Sequence, residues 1–248
     1  MRENLIEVRN LRFAYQGKPV LKGISFDVAT GDTLSILGAN GSGKSTLLRI
    51  MLGFLKFEGE VLIGGKSVRD YGKKGLASLV AYVPQTHAPS YDYSVFDVAL
   101  IGALCRMPLF SSFSAADKKL AEQALEKMGI AHLKNAPYTK VSGGERQLAY
   151  IARTLVQGAK VIFMDEPTNG LDFGNQIRLL EMIKALGDEG YTFVQTTHYP
   201  RHAKFVSNLT LFIKDGEILA FGRSEQLINA ENIDKIYGIN YERYEDRL

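Results

Sequence analysis

Residues 38–46, GANGSGKST, match the phosphate-binding pattern G-x-x-x-x-G-K-[ST] without a mismatch. The glycines of this stretch allow backbone N–H groups to curl around an anion in conformations that a Cβ would forbid. Lys44 adds a full positive charge for the β- and γ-phosphates, and the Ser45 hydroxyl can ligate Mg²⁺. The predicted nucleotide-binding residues of this loop are Gly38, Asn40, Gly41, Ser42, Gly43, Lys44, Ser45 and Thr46.

The segments on either side of this loop are the ones that a phosphate site requires. Residues 33–37 are short and mostly apolar, as expected of a buried strand, and residues 47–52 have the pattern of a helix. The positive end of such a helix would point at the same phosphates. The alternative is a glycine-rich turn with a chance lysine, and the strand and helix in register argue against it.

Acidic and imidazole side chains follow two further strand-like segments. Asp165 and Glu166 come at the carboxyl end of the apolar residues 160–164, and His198 ends the strand-like residues 192–197. The carboxyl ends of parallel strands open toward the ligand in α/β proteins. The alternatives are that both acids only cap the next turn and that His198 is a core histidine.

The remaining patterns predict the elements around these residues. Residues 5–28 alternate between apolar and polar positions, which is typical of antiparallel strands. Residues 94–154 have helical spacing, with Ser114 as a helix N-cap and a further helix that begins near Ser142. Strands alternate with helices around the phosphate loop, and the sequence therefore predicts a mainly parallel α/β core.

Composition limits the classes of protein to which the chain can belong. The 248 residues are enough for one large domain, and Cys105, the single cysteine, rules out an internal disulfide and suits a reducing cytosol. The 30 basic and 27 acidic residues give a net charge of +3, which is too even to indicate nucleic-acid binding. No apolar run approaches the roughly 18–20 residues that cross a bilayer, and the N-terminus has no signal-peptide pattern.

The order of these motifs resembles that of the ATPase subunit of ABC transporters, over essentially the whole chain. A lone phosphate loop also occurs in kinases and GTPases. What singles out this family is a Ser-Gly-Gly signature just upstream of a strand that ends in Asp-Glu-Pro. The segments that carry the resemblance are residues 38–46, Gln85, residues 142–147, residues 161–167, residues 169–172 and His198.

The resemblance implies a role for each polar residue. It makes Asp165 the acid associated with Mg²⁺ and makes Glu166 the base that polarises the attacking water. It makes His198 the sensor of the γ-phosphate. The implied metal-binding residues are Ser45, Gln85 and Asp165, and the implied catalytic residues are Lys44, Glu166 and His198.

Further residues are implied to bind the nucleotide or to connect two subunits. Tyr15 resembles the aromatic residue that stacks on adenine, although an ordinary strand tyrosine is the alternative. Gln85 is implied to link Mg²⁺ to the helical region that meets the membrane partner. The signature residues Ser142, Gly143 and Gly144 are implied to face the ATP of a second subunit. Asp172 is implied to communicate across that dimer.

The chain most resembles the metal-chelate importer class, which serves ferric siderophores, haem, cobalamin and some oxyanions. Residues 171–176 are similar to that class and most similar to its molybdate/tungstate members, whereas residues 102–104 lack an arginine that is often found there. Val141 and Glu145 depart mildly from the family signature, in which leucine and glutamine are common. The rivals are an exporter ATPase and a soluble, non-transport ABC ATPase. Soluble members usually carry tandem cassettes or a long coiled coil, and this chain has neither.

The resemblance also implies an architecture and partners. We expect one ABC ATPase domain over residues 1–248, with an α/β P-loop core and antiparallel β subdomain (1–85 and 159–248) and an inserted α-helical subdomain (86–158). Two copies are expected to sandwich two ATP molecules with Mg²⁺. The expected partners are this second copy, an integral membrane permease and, indirectly, a substrate-binding protein, with no nucleic acid. The expected place is the cytoplasmic face of the plasma membrane, and the cargo contacts would lie in the permease.

Overall fold

The computed structural model describes residues 3–85, 93–108 and 111–239. Its strands are β1 Asn4–Tyr15, β2 Lys18–Ala29, β3 Thr33–Leu37, β4 Glu58–Ile63, β5 Lys66–Ser67, β6 Val80–Val83, β7 Val161–Asp165, β8 Thr192–Thr197, β9 Leu209–Lys214 and β10 Glu217–Arg223. Its α-helices are α1 Lys44–Met51, α2 Lys73–Leu79, α3 Val95–Leu100, α4 Ala115–Lys127, α5 Gly143–Gln157, α6 Phe173–Asp188, α7 Pro200–Val206, α8 Ser224–Leu227 and α9 Ala230–Tyr237.

The chain forms two units, one of Met1–Tyr71 with Lys184–Leu248 and one of Gly72–Ile183. The first unit contains an antiparallel sheet in the order β2-β1-β4-β5. Ile6 and Val8 of β1 are fully buried, as the predicted alternation requires. The hairpin from β1 to β2 turns at Gln16 and Gly17, which both have positive φ, as a two-residue type I′ turn demands.

The first unit also contains the strands that lead to the phosphate loop. All five residues of β3 are buried, and β3 pairs in parallel with β8 on one side and β9 on the other. Leu37, the last residue of β3, is in register with Thr197 of β8 and Phe212 of β9. The phosphate loop and His198, which follow β3 and β8, therefore leave the sheet at one edge.

The second unit pairs β6 with β7 in parallel and surrounds them with helices. Val83 is in register with Met164. Gln85, two residues beyond β6, and Asp165, the last residue of β7, therefore come to one edge of the pair. Helix α4 has the predicted N-cap at Ser114, where a capping box satisfies the first free N–H groups of the helix. It ends before Gly129, which has a φ of 71°.

The α/β class predicted from the sequence is confirmed by these strands and helices. The predicted extent of the helical subdomain, 86–158, stays a prediction, and its first residues, 86–92, lie outside the described residues. Within residues 3–85, 93–108 and 111–239, no helix combines the length and the apolar character needed to cross a membrane.

Candidate active site

The loop between β3 and α1 has the backbone of an anion site. Gly41 and Gly43 have φ angles of 81° and 107°, which L residues with a Cβ rarely adopt. A Cβ on Gly43 would also lie 2.7 Å from Cδ2 of Leu21. Helix α1 begins here without a side-chain cap and without an acid in its first turn. Its positive end therefore keeps its attraction for an anion.

Two side chains of the loop fit a bound phosphate group. Lys44 is only 5% exposed, and its ammonium donates to the carbonyl oxygens of Gly38 at 2.8 Å and Ala39 at 3.1 Å. The hydroxyl of Ser42 is buried and has no hydrogen-bond partner among the described residues. Buried polar groups are nearly always paired, and a phosphate oxygen would supply the missing acceptor.

His198 lies just beyond β8 in a row of three rings. Its ring centroid is 4.0 Å from that of Tyr199, which in turn is 4.8 Å from that of His202. Burial, with a smaller contribution from the nearby His198, lowers the pKa of His202 below that of an exposed histidine. The sequence singled out His198 alone, because only a folded helix α7 brings His202 against Tyr199.

Tyr15 occupies the last position of β1, before the two-residue turn. It is 43% exposed, and its ring meets Phe13 edge-on, with centroids 4.7 Å apart and an interplanar angle of 84°. The exposed ring is compatible with stacking on a planar base, and that role stays a prediction.

In the second unit, Gln85 and Glu166 are brought together as a pair. The amide Nε2 of Gln85 donates to Oε2 of Glu166 at 3.0 Å, and Nδ2 of Asn169 lies 3.4 Å from the same oxygen. Glu166 follows the buried Asp165 directly and has a φ of 47°, a conformation that is uncommon outside glycine. The carboxylate is therefore held by amide groups at the carboxyl end of β7.

The signature segment forms the start of α5 through a reciprocal capping box. Oε2 of Glu145 accepts from the N–H of Ser142 at 2.7 Å, and the Ser142 hydroxyl accepts from the N–H of Glu145 at 3.3 Å. The bond from the Ser142 N–H first, and then a hydrogen bond from the Ser142 side chain to the carboxylate, lower the pKa of Glu145. Glu145 thus performs the capping function at the position where glutamine is common in the family.

Asp172 is tied to the signature helix through Asn175, a residue that the sequence did not single out. Asp172 accepts from the backbone N–H of Asn175 at 2.9 Å and from its Nδ2 at 2.7 Å. The backbone bond is the main reason that the pKa of Asp172 is lowered. Asn175 packs closely against Gly144, where a Cβ would lie 2.6 Å from the Asn175 Cγ. No sequence pattern indicated this contact between α5 and α6.

The ABC transporter family model matches residues 21–169 of the chain. The chain belongs to the ABC transporter family. It is an ATPase of that family, and the ATP-binding activity follows from the same match.

Relatives extend the match to nearly the whole chain. It is 38% identical over 94% of its length to an uncharacterized ABC transporter ATP-binding protein of Haemophilus influenzae, of which it covers 89%. It is 33% identical to the molybdate import ATP-binding protein MolC of the same organism, over 94% of this chain and 87% of MolC. It is 31% identical to the ferric enterobactin transport ATP-binding protein FepC of Escherichia coli, over 96% and 90% of the two chains.

A solved structure is similar in both fold and sequence. It is an inward-facing conformation of a transporter assigned to the metal-chelate type, with a TM-score of 0.86 and 32% identity. The match covers 96% of this chain and 90% of the solved one. The resemblance that the motifs indicated is thereby confirmed.

Proposed function

We propose that this ABC ATPase powers an importer, in which a separate membrane permease takes up a metal chelate or a metal oxyanion. Relatives whose names state a cargo include ones named for import of molybdate and for transport of manganese and of ferric enterobactin. Those names favour import over the two rivals, an exporter and a soluble ATPase. The proposal places the protein at the cytoplasmic face of the plasma membrane, with a substrate-binding protein as an indirect partner.

The observation that carries the catalytic part of the proposal is the placement of Glu166. Its carboxylate accepts from Gln85 at the end of β7, next to the buried Asp165. In the proposed reaction Glu166 takes the proton of the attacking water. Lys44 and the N–H groups of the phosphate loop hold the β- and γ-phosphates, and His198 contacts the γ-phosphate.

Ser45, Gln85 and Asp165 would hold Mg²⁺. They offer a hydroxyl, an amide and one carboxylate, which are the hard oxygen donors that Mg²⁺ uses together with substrate phosphates and water. When bound, Mg²⁺ neutralises the charge that develops on the transferred phosphoryl group. Among the residues that the structure describes, no cluster of three or more His, Cys, Asp or Glu could hold a metal by itself.

The change of Glu166 to glutamine tests the catalytic assignment. Glu166→Gln keeps the shape of the side chain but cannot accept a proton, so hydrolysis should fall about 10²–10⁴-fold while ATP affinity is retained. The matched control is Glu181→Gln on α6, which makes the same chemical change at an exposed position. Turnover and calorimetric ATP affinity are measured for both variants. Near-normal turnover of Glu166→Gln would remove Glu166 from its assigned role.

The proposed assembly is a homodimer that sandwiches two ATP molecules. In it, the first N–H groups of α5, which have no acceptor within their own helix, face the ATP held by the partner. Each composite site then takes Lys44 from one copy and Ser142 from the other. A mixed dimer of Lys44→Ala and Ser142→Arg would have one site with both defects and one with none.

Co-expression of the two inactive parents tests this arrangement. Single-turnover hydrolysis should appear in purified mixed dimers and be absent from either parent, because only the mixed dimer has an intact site. Each parent alone is the control. Verified mixed dimers without hydrolysis would contradict the sandwich and leave the phosphate-loop assignment unaffected.

Co-purification with the permease tests the transport part of the proposal. The complex is isolated, and the metal that it carries into vesicles is measured with and without ATP. ATP-dependent accumulation inside right-side-out vesicles is expected of an importer. Accumulation only in inverted vesicles would favour an exporter instead.

A further inference from the structure

The last residue of α9 makes a hydrogen bond to the backbone of His198. The hydroxyl of Tyr237 donates to the carbonyl oxygen of His198 at a distance of 3.2 Å. His198 lies between the last residue of β8 and the start of α7, where the chain leaves the sheet. A carbonyl oxygen at such a junction lies outside the ladder of backbone hydrogen bonds between strands. A donor on a side chain can give it a hydrogen bond that the ladder does not.

Helix α9 is itself fixed to the strands that lead into the phosphate site. Asn229 caps its first turn by accepting from the N–H of Asn232 at 3.0 Å. Ile233 and Ile236 are each 3% exposed. They belong to a buried cluster with Leu37, Ala203, Phe212 and Ile228.

A second bond fixes the end of the same helix. The ammonium of Lys214, the last residue of β9, donates to the carbonyl oxygen of Lys235 at 2.6 Å. The Tyr237 ring also packs against the cluster that contains Leu37, the residue just before the phosphate loop. The Tyr237 hydroxyl is therefore a donor held on a rigid support.

The direction of the His198 ring depends on the backbone that carries it. Its ring is partly exposed and lies 4.0 Å from the Tyr199 ring. A displacement of the backbone at this junction would move the imidazole, because the ring is carried by the same residue as the bonded carbonyl. The bond from Tyr237 opposes such a displacement, since its acceptor is the carbonyl oxygen of His198 itself.

We infer that Tyr237 is a positioning residue for hydrolysis, which holds His198 at the γ-phosphate through the His198 carbonyl. The inference rests on the proposed function, in which His198 touches the γ-phosphate. Tyr237 does not itself touch the substrate. Its loss should therefore slow the chemical step and leave the binding of ATP, which the phosphate loop provides, unchanged.

Tyr237→Phe is the variant that tests this inference, because it removes the hydroxyl and keeps the ring. The expected result is a kcat lowered about three- to tenfold, the factor that one neutral hydrogen bond is worth, with KM and ATP affinity unchanged. The matched control is Tyr71→Phe. The Tyr71 hydroxyl likewise donates to a backbone carbonyl, that of Ile63 at 2.7 Å, in the antiparallel sheet. The control should keep the wild-type kcat, and an equal loss of kcat in both variants would overturn the inference.

A double-mutant cycle with His198→Ala separates positioning from a general structural effect. Residual hydrolysis is followed over hours with labelled ATP in all four proteins. Once the imidazole is gone, Tyr237→Phe should have no further effect on the rate. Two results would overturn the inference. One is that Tyr237→Phe lowers the rate equally with and without the imidazole. The other is that Tyr237→Phe keeps the wild-type kcat while His198→Ala hydrolyses ATP slowly. A normal rate for His198→Ala would refute the proposed role of His198 and the inference with it.

Discussion

The close packing of Gly144 against α6 predicts a steric effect of a single added methyl group. In Gly144→Ala the new Cβ would lie 2.6 Å from Cγ and 2.9 Å from Cβ of Asn175, closer than real side chains approach. Rotation of the Asn175 side chain cannot relieve the second contact, because Cβ is attached to the backbone of α6. The start of α5 and the start of α6 must therefore move apart.

The size of the effect follows from the cost of overpacking. Extra methyl groups in well-packed sites cost about 1–3 kcal/mol. In a domain of this size each kcal/mol lowers Tm by about 2–4 °C, so a decrease of about 2–12 °C is expected. The displaced Asn175 would also release Asp172, which it binds through two hydrogen bonds. Hydrolysis should fall more than the affinity for ATP, because the phosphate loop is untouched.

The preceding glycine provides the control for the assay. In Gly143→Ala the new Cβ would lie 3.5 Å from Cδ2 of Leu171, which is an ordinary contact. Both glycines are in the first turn of α5, so the gain in helix propensity cancels between the two variants. Thermal unfolding of both is measured, together with Gly144→Ala in an Asn175→Gly background, which should recover part of the loss. Equal Tm values for Gly143→Ala and Gly144→Ala would refute the reasoning.

Three further predictions concern other parts of the chain. Lys44→Ala should lower ATP affinity at least about tenfold in calorimetry, because the loop loses its charge-assisted contacts, and unchanged affinity would contradict the assignment. Gly102→Ala should lower the urea midpoint, because the new Cβ would overlap the Arg153 carbonyl of α5 and lie 2.9 Å from the Gln157 nitrogen; an unchanged midpoint would argue against this packing. The pKa of His202 is lowered in the folded protein, so this histidine is protonated at a higher pH in the unfolded chain than in the folded one. Folding stability is therefore lost as the pH falls below about 6.5. When the pH is lowered from about 7.5 to 5.5, the Tm of His202→Gln should therefore fall less than that of the wild type. An equal fall in Tm would count against this prediction.

Features that depend on neighbouring residues in the chain could be predicted from the sequence. The N-cap at Ser114 is set by a short-range hydrogen bond to the third residue of its helix, and it is present. The same reasoning placed the phosphate loop between a buried strand and a helix. The order of motifs along the chain was enough to indicate the family.

Contacts between distant segments could not be predicted in this way. The bond from Tyr237 to His198 joins residues 39 positions apart, and the Asn175–Gly144 contact joins two helices. Neither contact produces a periodic pattern in the sequence, because one hydroxyl or one missing Cβ does not alter the spacing of the apolar residues. Such contacts depend on helix packing, which sequence periodicity constrains only loosely.

The backbone of Glu166 shows how the fold can hold the proposed base before a substrate arrives. Among the residues that the structure describes, the other non-glycine residues with positive φ are Asn10, Gln16 and Asp215. The last two lie in hairpin turns that require it, and Asn10 lies where the register of β1 shifts. Glu166 adopts the same conformation at a strand end, where it costs about 1–2 kcal/mol. The bond from the Asn169 N–H to its carbonyl at 3.0 Å and the amide of Gln85 on its carboxylate offset that cost. A strained residue that is held at both its backbone and its side chain has little freedom to turn, so the direction of the proposed base is set by the protein and not by the nucleotide.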